Sequence, residues 1–66
     1  MSIQAEFYAA RAAEARAAAE EATLDNVRER CLRSAAAWEG MAARASRTDQ
    51  MRQRQAAEKA SVEVVQ

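Results

Sequence analysis

The acidic side chains and the single cysteine are the residues of this 66-residue chain with the most potential for chemistry. Glu14 and Glu21 lie seven residues apart, a spacing that places two carboxylates on one face of a helix. Helical bundles that bind two metal ions combine such carboxylates with a Glu-x-x-His motif, and this chain has no histidine. Cys31 alone supplies one of the four ligands that a zinc site requires. The sequence therefore predicts no catalytic residue, no metal site and no cofactor, and it predicts that the protein is not an enzyme.

The cysteine and the N-terminal residues bear on the cellular compartment. We expect Cys31 to be a small apolar residue packed between helices in a reducing compartment, because no His or Lys neighbours it to activate the thiol. A disulfide across a dimer axis and a reactive thiol are the alternatives. The longest uncharged run near the N-terminus covers residues 1–5, far short of a membrane span or a signal peptide. We therefore expect a cytoplasmic protein with no membrane partner.

Arginine outnumbers lysine nine to one, and the C-terminal arginines are candidates for phosphate binding. The candidate phosphate contacts are Arg44, Arg47, Arg52 and Arg54, and a second basic cluster contains Arg28, Arg30 and Arg33. Acidic residues are interleaved with both clusters, and the ten basic and ten acidic residues of the chain cancel. No aromatic residue lies among the C-terminal arginines for base stacking. We therefore interpret the arginines as a solvated charged face and consider nucleic acid an unfavoured partner, with a nucleic-acid-associated protein as the alternative function.

The elements that position these residues are predicted to be helices with a very small core. Half of the residues are apolar, but 19 of those 33 are alanine, whose methyl group buries little area. Alanine, glutamate, arginine and glutamine favour helix, and the chain has no proline and one glycine. A chain of this length forms one domain at most, and its own core supplies only a few kcal/mol. The composition therefore predicts an all-α protein whose helices need a partner.

A first helix over about residues 3–22 is predicted from a regular apolar seam. Ser2 is a good N-cap, and Glu6 lies near the positive end of the helix dipole. Apolar residues follow with alternating steps of four and three, which is the pattern of a helix that packs along one seam. The seam consists of Met1, Ala5, Tyr8, Ala12, Ala15, Ala19 and Ala22. It is thus lined almost entirely by methyl groups.

A second helix over about residues 25–46 is predicted from a seam with larger side chains. This seam consists of Val27, Cys31, Ser34, Trp38, Met41 and Ala45, and Ala35 and Ala42 broaden it. Bulky residues on one helix fill the space that alanines leave on the other. Beyond Ala45 the same positions become polar, so residues 47–66 are predicted to form either a helical extension to about residue 60 or a frayed tail. We expect residues 61–66 to fray.

The junction between the two seams is predicted to be a turn. Continuing the first seam past Ala22 reaches only polar residues, so one straight helix would carry a broken apolar stripe. Thr23 and Asp25 favour helix starts, and either is a candidate N-cap of the second helix. Leu24 is expected to close the turn by packing on Val27. A short turn makes the helices antiparallel neighbours, and a single continuous helix is the alternative.

The predicted hairpin does not cover all of its large apolar side chains, and this predicts self-association. Ile3 and Phe7 are four residues apart on one face of the first helix, outside the seam. Two-fold pairing of hairpins into an antiparallel four-helix bundle would cover them, so a homodimer is the first choice. A helix of another protein and a monomer are the alternatives. The candidate interface residues are Ile3, Phe7, Tyr8, Leu24, Val27, Cys31, Leu32, Trp38 and Met41. The predicted function is a small self-associating module for protein–protein interaction.

Three short segments carry a resemblance to other sequences. They are the aromatic pair Phe7 and Tyr8, the ATLDNVRER junction of residues 22–30 and the AAAWE segment of residues 35–39. In these segments the chain, from residue 7 to residue 48, resembles a group of very short bacterial proteins of unknown function. The resemblance implies a small all-helical protein. It brings no catalytic residues with it.

Overall fold

The chain forms a hairpin of two α-helices of unequal length. A computed structural model describes residues 2–65, and the side chains of residues 2–61. Helix α1 spans Ile3–Glu21 and helix α2 spans Asp25–Val65. The three residues between them reverse the chain, and α1 packs along the first half of α2. The prediction of an all-α helical hairpin is confirmed, and the alternative of one continuous helix is wrong.

Helix α1 begins as its sequence predicts. Ser2 has an extended backbone, and its hydroxyl accepts a hydrogen bond from the Ala5 amide at 3.4 Å, so it is the N-cap. Glu6 lies in the first turn, at the positive end of the helix dipole. After Glu21 the backbone of Ala22 is again extended, and its amide donates to the Ala19 carbonyl at 3.3 Å.

The start of α2 differs from the prediction, because neither Thr23 nor Asp25 is its N-cap. The helix begins at Asp25, and the Arg28 amide donates to the Leu24 carbonyl at 3.0 Å, which places Leu24 at the cap position. The Arg28 guanidinium donates to the Ala22 carbonyl at 3.0 Å and to the Asp25 carboxylate at 3.4 Å. An arginine inside α2 therefore holds the turn, in place of a capping side chain.

Leu24 does not close the turn either, because its residue surface is 61% exposed. Leu24 is therefore an apolar residue on the outside of the molecule.

The methyl-lined seam of α1 is confirmed over its described part. Ala5, Ala12 and Ala19 are buried, and Tyr8, Ala15 and Ala22 are half-buried. Every other residue of α1 is exposed. Met1, the first predicted seam residue, lies outside the described residues. A local periodicity of alternating steps was sufficient to identify the packed face.

The prediction of the α2 seam is confirmed at all but one of its residues. Val27, Cys31, Trp38, Met41 and Ala45 are half-buried as predicted, whereas Ser34 is exposed. Ala35 takes its place and is only 1% exposed. The seam therefore steps by four after Cys31, because a methyl group fits the closest approach of the helices and leaves the serine hydroxyl in water.

Helix α2 continues far beyond α1. It has 41 residues against 19, so at about 1.5 Å per residue it is roughly 33 Å longer. The molecule measures 64 Å along its long axis and 13 Å by 11 Å across. Residues 46–65 form what we call the projecting segment, in which residues 50–61 are all exposed. The helix persists to Val65, through residues that were expected to fray, and Gln66 lies outside the described residues.

Replacement of Gly40 by alanine should stabilise the protein. Gly40 lies inside α2 with ordinary helical backbone, where glycine costs about 0.5–1 kcal/mol relative to alanine. An added Cβ would lie 3.7 Å from Nη1 of Arg44, an ordinary contact. We expect the melting temperature of Gly40→Ala, followed by circular dichroism, to rise by about 4 °C. The reverse exchange at exposed Ala43, Ala43→Gly, should lower it by a similar amount, and a lower melting temperature for Gly40→Ala would contradict the prediction.

Candidate interaction surface

Three aromatic rings from both helices form a cluster at the end of the hairpin away from the turn. The Phe7 and Trp38 ring centroids are 6.1 Å apart and nearly perpendicular, at 87°. The Tyr8 and Trp38 centroids are 5.8 Å apart, as are those of Phe7 and Tyr8. Edge-to-face and tilted pairs at these distances are favourable. These rings, which we call the aromatic cluster, join residues that are about 30 positions apart in the chain and so fix the register of α1 on α2.

An arginine lies over the aromatic cluster. The guanidinium carbon of Arg11 is 5.9 Å from the ring centroids of both Phe7 and Trp38, within the range of a cation–π contact. The Arg11 Nη1 atom also donates to the Glu14 carboxylate at 2.8 Å. The carboxylate thus holds the guanidinium against the rings. Arg11 is not among the interface residues predicted from the sequence. Its position four residues after Phe7, on the same side of α1, indicates that the two side chains can be in contact.

The aromatic cluster is incompletely covered by the hairpin. Ile3 is 84% exposed and Phe7 is 53% exposed, one helical turn apart on α1. Tyr8 and Trp38 are half-buried. Tryptophan, tyrosine and arginine are the residues that most often dominate binding energy at protein interfaces. A partially exposed cluster of this composition, next to an exposed isoleucine, is suited to contact another protein.

A shallow groove on the hairpin lies nearer the turn. It has a volume of about 290 Å³ and is lined by Arg16, Ala19, Glu20, Arg28 and Leu32. Leu32 is its one large apolar side chain and is exposed. Three of its five lining residues are charged, but most of the groove surface is apolar.

One ion pair joins the two helices beside this groove. The Arg16 guanidinium donates a hydrogen bond to the Glu39 carboxylate, and both side chains are exposed. The hydrogen bond and then the opposite charge of Glu39 raise the pKa of Arg16, which keeps the guanidinium charged. Exposed pairs contribute little to stability, so this contact adds little to the free energy that holds the helices together.

The predicted interface residues fall into two groups in the structure. Tyr8, Val27, Cys31, Trp38 and Met41 are half-buried on the sides by which α1 and α2 pack together. Ile3, Phe7, Leu24 and Leu32 are exposed. Cys31 has a free thiol. The first group is therefore largely used within the hairpin, and the second group is available to another molecule.

The candidate phosphate contacts are also divided by the structure. Arg44, Arg47 and Arg54 are exposed at steps of three and seven along α2, on its side away from α1. Arg52 instead continues the side of α2 on which α1 packs. The continuous helix places Arg30 and Arg33 on the same outward side as Arg44, although the sequence separates them by more than ten residues.

Within the described residues, no three His, Cys, Asp or Glu side chains form a group that could hold a metal ion. Neither helix, over its described length, has an apolar stretch long enough to cross a membrane. Comparison with protein-family models, curated proteins and solved structures finds no match for this chain.

Proposed function

We propose that this protein is a small helical interaction module that self-associates, with two hairpins pairing into an antiparallel four-helix bundle. The observation that carries the proposal is that small apolar side chains are buried while large apolar side chains remain exposed. Among the described residues, those that are buried are four alanines, and no large side chain is fully buried. Ile3, Phe7, Leu24, Leu32 and Met51 are the large apolar residues that remain exposed.

The small core is the physical reason for a partner. Burial of apolar surface contributes about 25 cal/mol per Å², and a methyl group offers little surface to bury. Most of the stability of a helix in a protein comes from tertiary packing of its apolar face, so propensity alone does not hold the hairpin together. A second copy removes Ile3 and Phe7 from water and completes the cover over Trp38. Association and folding are therefore expected to be coupled.

A two-fold arrangement suits the position of the aromatic cluster. In a two-fold dimer the same patch of each copy lies at the interface, so one cluster is used twice. The cluster contains residues of both helices, and a contact centred there brings all four helices together. The projecting segments lie outside this contact and remain available for other partners.

Light scattering coupled to size-exclusion chromatography tests the proposal. We expect a mass of two chains of 7.3 kDa at high concentration and dissociation on dilution, with loss of helical circular dichroism. Ile3→Glu should weaken the dimer at least tenfold, since it removes about 2 kcal/mol of apolar burial and introduces a charge. Ile3 is the first residue of α1, where an acidic side chain favours the helix, so the hairpin itself should tolerate the change.

Gln50→Glu is the matched control. It adds the same charge at an exposed residue of the projecting segment, so the dimer should keep its wild-type affinity. A single-chain mass at every concentration with full helicity would refute the proposal. Equal weakening by both variants would show that net charge, and not the aromatic cluster, controls association.

A further inference from the structure

We propose that the side of α2 facing away from α1 binds the phosphate backbone of nucleic acid without sequence preference. Five exposed arginines lie along this side, and we call them the arginine stripe: Arg30, Arg33, Arg44, Arg47 and Arg54. The proposal is independent of self-association. It concerns a different surface and requires no second copy of the chain.

The heptad geometry of α2 places these arginines in one line. The packed residues follow steps of four and three through Cys31, Ala35, Trp38, Ala42 and Ala45. The arginine stripe follows the same repeat on the opposite side, at two of the three heptad positions farthest from a packed seam. The third position runs beside the stripe and holds Glu29, Ala36, Ala43 and Gln50. The remaining positions along the stripe are occupied by Ala37, Gly40 and Met51. No acidic residue lies between Arg30 and Arg54 on this line.

Two of the acidic residues that interrupt the arginines in sequence, Glu39 and Asp49, lie away from the stripe. Asp49 is half-buried on the packed side of α2 and accepts a hydrogen bond from Gln53. Glu39 is paired with Arg16 of α1. Glu29 lies on the outward side of α2 next to Arg33, and Glu58 follows Arg54 by four residues on the same line. Between Arg30 and Arg54 the line itself thus carries five arginines and no acidic residue, although the chain has no net charge.

The stripe arginines are also free of the ion pairs that the structure contains. Over the described side chains, the salt bridges use Arg11, Arg16 and Arg28, each with an acidic partner. Within these described side chains, no arginine of the stripe forms a salt bridge. Their guanidinium groups retain their donors for an external anion.

Phosphate is the anion class that fits this face. Guanidinium groups donate two parallel hydrogen bonds to phosphate oxygens, and they are less strongly hydrated than ammonium groups. The stripe is about 36 Å long, since 24 steps of about 1.5 Å separate Arg30 from Arg54, and this is close to one turn of duplex DNA. No aromatic side chain lies on the stripe to stack on bases. Backbone contact with a duplex is therefore expected, rather than recognition of single-stranded bases.

Fluorescence anisotropy with a labelled DNA duplex about two turns long tests the proposal. We expect binding at about 50 mM salt that weakens steeply as salt rises, with a logarithmic slope of about −4.5 for five phosphate contacts. Duplexes of different sequence should bind equally. Arg47→Gln/Arg54→Gln should weaken binding about tenfold at low salt and make the slope shallower by about 2. Arg30→Gln/Arg33→Gln should have the same effect from the other half of the stripe.

Arg52→Gln/Lys59→Gln is the matched control. These residues lie in the same projecting segment with the same seven-residue spacing, and the variant loses the same charge, but both are off the stripe. Glutamine preserves helix propensity, and circular dichroism verifies the fold of each variant. The control should bind within about twofold of wild type, because it removes no stripe contact.

Three results would overturn the proposal. One is the absence of duplex binding at low salt. Another is an equal loss of affinity in the stripe and control variants, which would indicate only general charge attraction. The last is that the stripe variants dissociate the oligomer in light scattering while duplex binding is unchanged, which would assign the stripe to the acidic α1 of a second copy. Because the oligomer mass is measured separately, failure of this proposal leaves the self-association proposal to be judged by its own test.

Discussion

Replacing Ala35 with leucine should lower the melting temperature by about 10 °C. Ala35 is 1% exposed at the contact between the helices, so a larger side chain has no space unless α1 moves away. Overpacking of this kind costs about 1–3 kcal/mol. In a domain of this size each kcal/mol shifts the melting temperature by about 4–8 °C. Thermal unfolding followed by far-ultraviolet circular dichroism, at fixed protein concentration, measures the effect.

The neighbouring residue provides the control for this prediction. Ala36 is exposed, and alanine and leucine have similar helix propensities, so Ala36→Leu should melt within a few degrees of wild type. If both variants unfolded equally early, general sensitivity to bulk would explain the result. If Ala35→Leu had no effect, the side of α2 that packs on α1 would be assigned incorrectly.

Replacing Trp38 with alanine should have the second large effect. The tryptophan ring contacts both Tyr8 and Phe7, and Arg11 covers it, so its loss removes every aromatic contact between the helices. Truncation of a large aromatic residue costs about 3 kcal/mol, at the lower end of its range because Trp38 is half-buried. We expect a mostly unfolded chain at micromolar concentration in circular dichroism, and a monomeric mass in light scattering.

Trp38→Phe tests whether any aromatic ring is sufficient at this position or whether tryptophan is required. Phenylalanine keeps an aromatic face for Tyr8 and Arg11 and should retain most of the helicity and the dimer. Wild-type melting of Trp38→Ala would mean that the aromatic cluster does not hold the hairpin together. A folded monomer of Trp38→Ala would instead place the cluster at the interface between copies but not within the hairpin.

The two proposed surfaces lie on different sides of the molecule. The aromatic cluster is at the contact of α1 with α2, and the arginine stripe faces away from α1. Pairing through the first surface would therefore leave the second in solvent on each copy. A dimer would present two stripes to one polyanion, and their joint engagement would raise the overall affinity well above that of a single stripe.

Features that depend on neighbouring residues could be predicted from the sequence. The Ser2 cap and the methyl-lined seam through Ala12 and Ala19 follow from local propensity and the 3.6-residue repeat, which act within a few residues. The break near Thr23 was visible because the apolar stripe loses its phase there. The exposed Ile3 and Phe7 were also recognisable, since they lie off the seam at a helical spacing.

Other features depended on how α1 sits against α2. The choice of Ala35 over Ser34 for the closest approach is a matter of about one residue of register, and periodicity cannot resolve it when a serine and an alanine are adjacent. The cover of Arg11 over Trp38 and the pairing of Arg16 with Glu39 join residues more than 20 positions apart. No local pattern encodes such contacts.

By itself, the sequence determined an all-helical hairpin with a methyl-lined packing side, because helix propensity and periodicity are properties of short segments. Only the tertiary structure decided where each charge points. It turned Glu39 and Asp49 toward α1 or its packed side and aligned Arg33 with Arg47 on one uninterrupted helix. The physical reason is that proximity along the chain and proximity around a helix axis differ, so charges that alternate in sequence can be separated in space.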